Sequence, residues 1–150
     1  MNGNVIASGY YSTSTQSVSN IGGIVGSNYS VVTKCYNVGI ITTEYDDIGG
    51  IVGYSSSGSE INCCYNIGTI TGNNFVGGIV GWSAAEIRNC YYLDGTAMYG
   101  GNNMTSMNGI EQKSSNYMKS SDFLDVLNIN SNIFKIEPEK NNGYPILKWQ

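Results

Sequence analysis

Apolar residues in the first hundred positions come in short bursts, among them Ile24-Val25, Val31-Val32, Ile40-Ile41, Ile51-Val52 and Ile79-Val80, each set among Gly, Ser, Asn or Thr. Bursts of this length, rich in β-branched residues and closed by turn formers, predict short strands. Nothing before residue 101 resembles a ten-residue amphipathic helix. Beyond Gly101 the pattern changes: 18 of the 20 glycines lie in residues 1–101, while both prolines, Pro138 and Pro145, lie later. There, residues 120–128 predict one short helix, with Ser121 as N-cap, an acid in the first turn, and Phe123, Val126 and Leu127 on one face. Residues 133–136 and 144–149 predict extended segments beside it.

The bursts repeat. Ile21-Gly22-Gly23-Ile24-Val25-Gly26 returns from Ile48 to Gly53 and again from Val76 to Gly81, at offsets of 27 and 28 residues. A second element follows each copy: Cys35-Tyr36-Asn37-Val38-Gly39, Cys64-Tyr65-Asn66-Ile67-Gly68, then Cys90-Tyr91-Tyr92-Leu93. Gly9-Tyr10-Tyr11 stands where an earlier copy of this element belongs, so the chain is expected to open inside a truncated repeat of a longer array. Val25 to Cys35 and Val80 to Cys90 are 10 residues apart, and Val52 to Cys64 is 12. The surplus falls at Ser55-Ser56-Ser57-Gly58-Ser59, which reads as a surface turn.

Short strands at a fixed period of 27–28 residues predict an all-β fold, a parallel β-helix or β-solenoid. So small a unit cannot bury its apolar face alone, so coils must stack, with equivalent residues about 4.8 Å apart. The expected division is a partial repeat at 1–20, repeats at 21–47, 48–75 and 76–101, and a C-terminal cap at 102–150 that covers the open end with one short helix and strands.

Composition narrows the function. A length of 150 residues fits one domain. The charged fraction is 12%, and before residue 113 the basic residues are Lys34 and Arg88, which argues against a nucleic-acid partner, since phosphates are bound by clustered cations. Sparse charge suits stacked coils, where like charges one above another repel. With no histidine, Ser-His triads, Cys-His dyads and histidine-bearing zinc sites are excluded, leaving carboxylates, Lys, Tyr or Cys for any catalysis. No apolar run approaches the roughly 18–20 residues of a membrane span, and the N-terminus lacks the features of a signal peptide. If the protein is secreted, this chain is expected to be a fragment of a larger one.

The Gly-Gly-Ile-Val-Gly element followed by Asn-Cys-Tyr-Asn-x-Gly resembles the GLUG repeat of bacterial surface and secreted proteins, over about residues 5–100. The tail, with Met118-Lys119-Ser120 and Asn142-Gly143-Tyr144-Pro145-Ile146-Leu147-Lys148-Trp149, is similar to the segment that often closes such repeats. The resemblance implies large extracellular multi-repeat proteins, including adhesin-like proteins and the non-catalytic part of some IgA-specific metallopeptidases. It implies no catalytic residues for the repeat. The third copy departs from the pattern, with Tyr92 where Asn37 and Asn66 stand.

Several residues invite chemical readings. Cys35, Cys64 and Cys90 share one repeat position and form either a ladder of buried thiols or, since stacked Cα atoms fall near disulfide range, at least one bridge. Cys63 is unmatched and is expected to be exposed. Tyr10, Tyr36, Tyr65 and Tyr91 align as one aromatic column, and Tyr54 with Trp82 as a shorter one. Such columns either bind sugar rings or stabilise the ladder without any ligand. Glu60 and Glu86 occupy matching positions, so stacking would bring them near the spacing of a retaining glycosidase pair, about 5–5.5 Å. Val31 stands there in the first repeat, which favours solvated surface acids. Glu44, Asp46 and Asp47 could offer oxygen ligands to calcium, which takes roughly six to eight, but the glycine-rich nonapeptide calcium repeat is absent, which favours an acidic turn without metal. The glycine-rich elements lack the Lys and the strand-to-helix context of a phosphate loop.

The expectation is therefore a non-enzymatic structural and interaction module of an extracellular or bacterial cell-surface protein, serving adhesion or spacing, with no cofactor or metal. Its partners would be a host or cell-surface protein or a glycan, without nucleic acid or membrane insertion. Self-association through an open edge is a further option. The alternatives are a carbohydrate-binding module using the tyrosine columns and, behind it, a carboxylate-based glycosidase.

Overall fold

The computed structural model describes residues 5–7, 19–104 and 107–150. The chain is mostly β, and parallel pairing dominates. Residues at equivalent places in successive repeats hydrogen-bond side by side, so each repeat position becomes a short parallel sheet. β1 (Val5–Ala7), β6 (Ile41–Thr43) and β11 (Ile70–Thr71) form the first. β2 (Ser19–Gly22), β7 (Asp46–Gly49) and β12 (Val76–Gly77) form the second, and β3 (Val25–Asn28), β8 (Val52–Ser55) and β13 (Val80–Ser83) the third. β4 (Val31–Thr33), β9 (Glu60–Asn62) and β14 (Glu86–Arg88) make the fourth. The fifth joins β5 (Tyr36–Asn37), β10 (Tyr65–Asn66), β15 (Cys90–Leu93) and β16 (Ile110–Lys113).

Registers follow the sequence repeat: Ile21 lies beside Ile48 and Ile48 beside Val76, Val25 beside Val52 and Val52 beside Val80. The two surplus residues of the second repeat are taken up in the turn between β8 and β9. Its tip, Ser57 and Gly58, is exposed, but Ser55 and Ser59 are buried and bonded to each other, with Asn28 Nδ2 donating to Ser55 Oγ at 3.0 Å.

Alternation along each strand sends successive side chains to opposite faces. On the inner face Ile51, Ile61, Ile79, Cys64 and Cys90 pack together, and Ile41, Ile48 and Ile70 make an adjoining cluster. Burying each isoleucine contributes about 1.5–3 kcal/mol. The backbones approach so closely that a Cβ on Gly50 would meet the carbonyl of Gly78 and the amide of Asn66. Asn66 lies in that space because it closes its own turn: its Oδ1 accepts from Gly68 N–H at 3.1 Å and its Nδ2 donates to Gly68 O at 2.9 Å. Asn37 does the same with Gly39 and donates to Asn66 Oδ1 at 2.8 Å. In the third repeat the Tyr92 ring fills the corresponding space against Gly78, under Ile110 and Gly100.

Two rows of corners turn through left-handed backbone. Asn20, Asp47 and Phe75 immediately precede Ile21, Ile48 and Val76 of the second sheet with φ of 69°, 56° and 50°, and Lys34, Cys63 and Asn89 precede the cysteine position with φ of 55°, 50° and 50°. Such values are ordinary for Asn and strained for Phe.

Parallel pairing continues past Gly101. Gly100 O accepts from Val80 N–H, Asn102 N–H donates to Gly81 O, and the Asn102 side-chain amide pairs with both backbone groups of Ser83. The expected helix is in fact two, α1 (Ser115–Met118) and α2 (Ser121–Leu127). The second begins one residue earlier than the sequence suggests: Ser120, in extended backbone, accepts from Phe123 N–H, so Ser121 is its first helical residue. β17 (Phe134–Lys135) and β18 (Ile146–Leu147) pair antiparallel, matching the two extended segments. Asn128 ties α2 to β17, its Oδ1 accepting from Ile133 and Phe134 N–H at 2.9 Å. No helix among the described residues is long and apolar enough to cross a membrane.

The tail does not simply sit over the end of the stack. Residues 100–104 and 107–113 lie against the last repeat, whereas α1, α2, β17 and β18 pack on the outer face of the fifth sheet.

Candidate functional site

Along Cys64-Tyr65-Asn66 the strand alternation turns the thiol and amide inward and the phenol outward. Tyr36 and Tyr65 stack with centroids 5.1 Å apart and planes within 4°, and Tyr91 lies in register beside Tyr65. Tyr10 lies outside the described residues. The column is not displayed to solvent: Tyr36, Tyr65 and Tyr91 are buried beneath the tail. Phe123 stands edge-on to Tyr65 and Tyr91 at 5.8 and 5.2 Å, with Met118, Leu127, Phe134 and Ile146 around them. Tyr36 Oη donates to Gln150 Oε1 at 2.6 Å, and Tyr65 Oη donates to Pro145 O and accepts from Asn141 Nδ2. Burial pushes the Tyr65 phenol up, and burial with the nearby Glu111 carboxylate pushes Tyr91 up to about 12. These phenols hold the tail in place.

Cys35, Cys64 and Cys90 are free thiols stacked behind that face. The neighbouring Cys64 thiol and burial hold Cys35 well above the usual thiol range. Cys63, expected outside, is buried: its corner lies in the middle repeat, between the equivalent corners Lys34 and Asn89, and it donates to Asn62 Oδ1 at 3.2 Å.

Glu60 and Glu86 do lie side by side in register, with Val31 below them. Arg88 bridges them, pairing with Glu86 and reaching Glu60 at 3.6 Å, so stacked like charges are relieved by a cation one position along. These are exposed pairs worth at most about 1 kcal/mol. Asp46 accepts from the side chain of Asn73 and from backbone and side chain of Asn74, all near 3 Å. Asp47 at the adjoining corner is raised by burial and by the Asp46 charge. Glu44 is exposed nearby, and no group of three potential metal ligands occurs among the described residues.

The second aromatic column remains outside. Tyr54 and Trp82 pair in register on β8 and β13, centroids 5.2 Å apart and planes within 7°. Their partner on β3 is Ser27, yet Tyr29, two residues along in the turn, brings its ring 6.2 Å from Tyr54 at 48°. Register reasoning missed Tyr29 because it sits off the repeat position. An aromatic residue within Ser27-Asn28-Tyr29-Ser30 was its available signal. The tail's Asn141 and Gln150 were also missed, since nothing local marks which face they reach.

Three clefts border these groups. One of about 520 Å³ lies between residues 85–91 and 107–111 and includes Glu86, Arg88 and Glu111. Another, of about 650 Å³, is lined by Ile24, Cys35, Tyr36, Leu147 and Trp149, and a third, of about 520 Å³, by Val38, Ile67, Leu93 and Tyr144. No family model matches the chain, and neither a curated protein nor a solved structure is detectably similar to it.

Proposed function

We propose that the chain is a β-solenoid of GLUG-like repeats closed by its tail, acting as a non-enzymatic spacer and interaction module of an extracellular or bacterial surface protein. The observation that carries the reading is the in-register parallel pairing of equivalent residues from three successive repeats, which extends by adding copies and needs no ligand. The uses found for the reactive side chains support it too. The matched thiols pack in or against the core, the tyrosine column anchors the tail, and Glu60 and Glu86 are bridged by Arg88.

Two measurements test it. Nuclear Overhauser contacts in the purified chain should join equivalent residues of successive repeats, Val25 with Val52 and Val52 with Val80, with β-dominated circular dichroism, and their absence overturns the solenoid. Antibody raised against this chain should label intact source cells. Labelling only after permeabilisation overturns the surface assignment.

A further inference from the structure

The row Tyr29, Tyr54 and Trp82 has no structural duty comparable to that of the tyrosines beneath the tail. Tyr29 is 73% exposed, and Tyr54 and Trp82 are half-buried. Tyr54 and Trp82 stack with centroids 5.2 Å apart, whereas Tyr29 is tilted 48° from Tyr54. The stacked pair turns ring edges outward, and the tilted, exposed Tyr29 offers a ring face beside them. Tyr29 extends the row by a third ring although the repeat supplies only Ser27 at that position.

The borders of the row are as informative as the rings. Ser27, Ser30 and Ser56 flank it in sequence and are exposed or partly so, and none of these residues carries a formal charge. We infer that this row binds neutral carbohydrate, with sugar rings laid along the stack. A pyranose offers a face of C–H groups bounded by a rim of hydroxyls. The face suits an aromatic ring, and the rim suits serine hydroxyls and water. A strip one ring wide matches a chain of sugars, whereas a protein partner would engage a compact, fully desolvated patch. Asp47, whose backbone abuts Gly81 beside Trp82, is acidic, and its sign disfavours uronic and sulfated sugars. This inference deepens the interaction half of the proposed module and leaves its scaffold half untouched.

The test is calorimetric titration of the whole chain with cellohexaose, laminarihexaose and mannohexaose as neutral probes, and hexagalacturonate as the charged comparison. Saturable binding of at least one neutral probe is expected, weakened about tenfold by Tyr29→Ala or Tyr54→Ala and unchanged by Tyr65→Phe. Because the Tyr29 ring is exposed, Tyr29→Ala should keep the parent circular dichroism and melting temperature, which separates lost binding from lost fold. No saturable binding of any neutral probe, parent affinity in both alanine variants, or preference for hexagalacturonate overturns the inference. If the contacts between equivalent residues of successive repeats are present while binding is absent, this inference falls and the scaffold reading stands.

Discussion

Replacing Phe123 by alanine should detach the tail from the fifth sheet while leaving the stacked repeats folded. Phe123 is fully buried, stands edge-on to Tyr65 and Tyr91, and tilts against Tyr117 at 5.7 Å. A buried Phe→Ala change costs about 3–5 kcal/mol. The loss falls in a cluster of its own, distinct from the isoleucine and cysteine core, so it should be local rather than global. Native-state hydrogen exchange reads this directly. Amides of α2, β17 and β18 should exchange about a hundredfold faster or more, while those of β7 and β8 keep their protection. Tyr65→Phe provides the internal scale. It removes only the hydroxyl bonded to Pro145 O, a carbonyl that Asn141 Nδ2 still approaches at 3.4 Å, so it should cost about 1 kcal/mol. Equal acceleration in β8 and α2 would refute two separable cores, and an effect of Phe123→Ala no larger than that of Tyr65→Phe would refute the packing argument.

Phe75→Asn should stabilise the protein by about 1 kcal/mol, read as a higher urea midpoint, because φ is 50° and the ring is 37% exposed. Asp47→Asn should also stabilise at pH 7, by relieving both the left-handed corner and an ionised carboxyl beside Asp46. Since the folded-state pKa of Asp47 is raised, the parent loses stability as pH climbs from 3.8 through that folded value, so the electrostatic part of the variant's advantage should vanish below about pH 4. An advantage in chemical denaturation that is constant from pH 3 to 7 would contradict this. In denaturant without reductant, thiol titration should find four thiols per chain, and a value of two would establish a disulfide.

The repeat was legible because a parallel ladder writes the same residue types at the same positions, and the registers of Ile21, Ile48 and Val76 follow that spacing. Strand parity was legible too: in Cys-Tyr-Asn, thiol and phenol must point to opposite faces. What covers the outer face was not, because a connection of any length can carry a tail over an end or along a side. The N-terminal serine of α2 was misread by one residue, since Ser120 and Ser121 differ only in backbone angle. Cys63 misled because its corner is flanked on both sides by the equivalent corners Lys34 and Asn89, and being unmatched in residue type does not report that cover.

The two aromatic columns sharpen what such a repeat can be used for. Both arise from the same rule, that any outward position recurs every coil, so a single aromatic choice becomes a stripe. An apolar stripe left in water forgoes about 25 cal/mol for each Å² that could have been buried. On the fifth sheet that surface lies beneath Phe123, Phe134 and Ile146, so Tyr36, Tyr65 and Tyr91 contribute to holding the tail. On the third sheet no described segment covers it, and Tyr29 enlarges the stripe from outside the repeat register. The stripe therefore carries an unused burial free energy that an external partner can realise. On this reasoning, substitutions under the tail should change stability and spare recognition, whereas substitutions along Tyr29, Tyr54 and Trp82 should do the reverse.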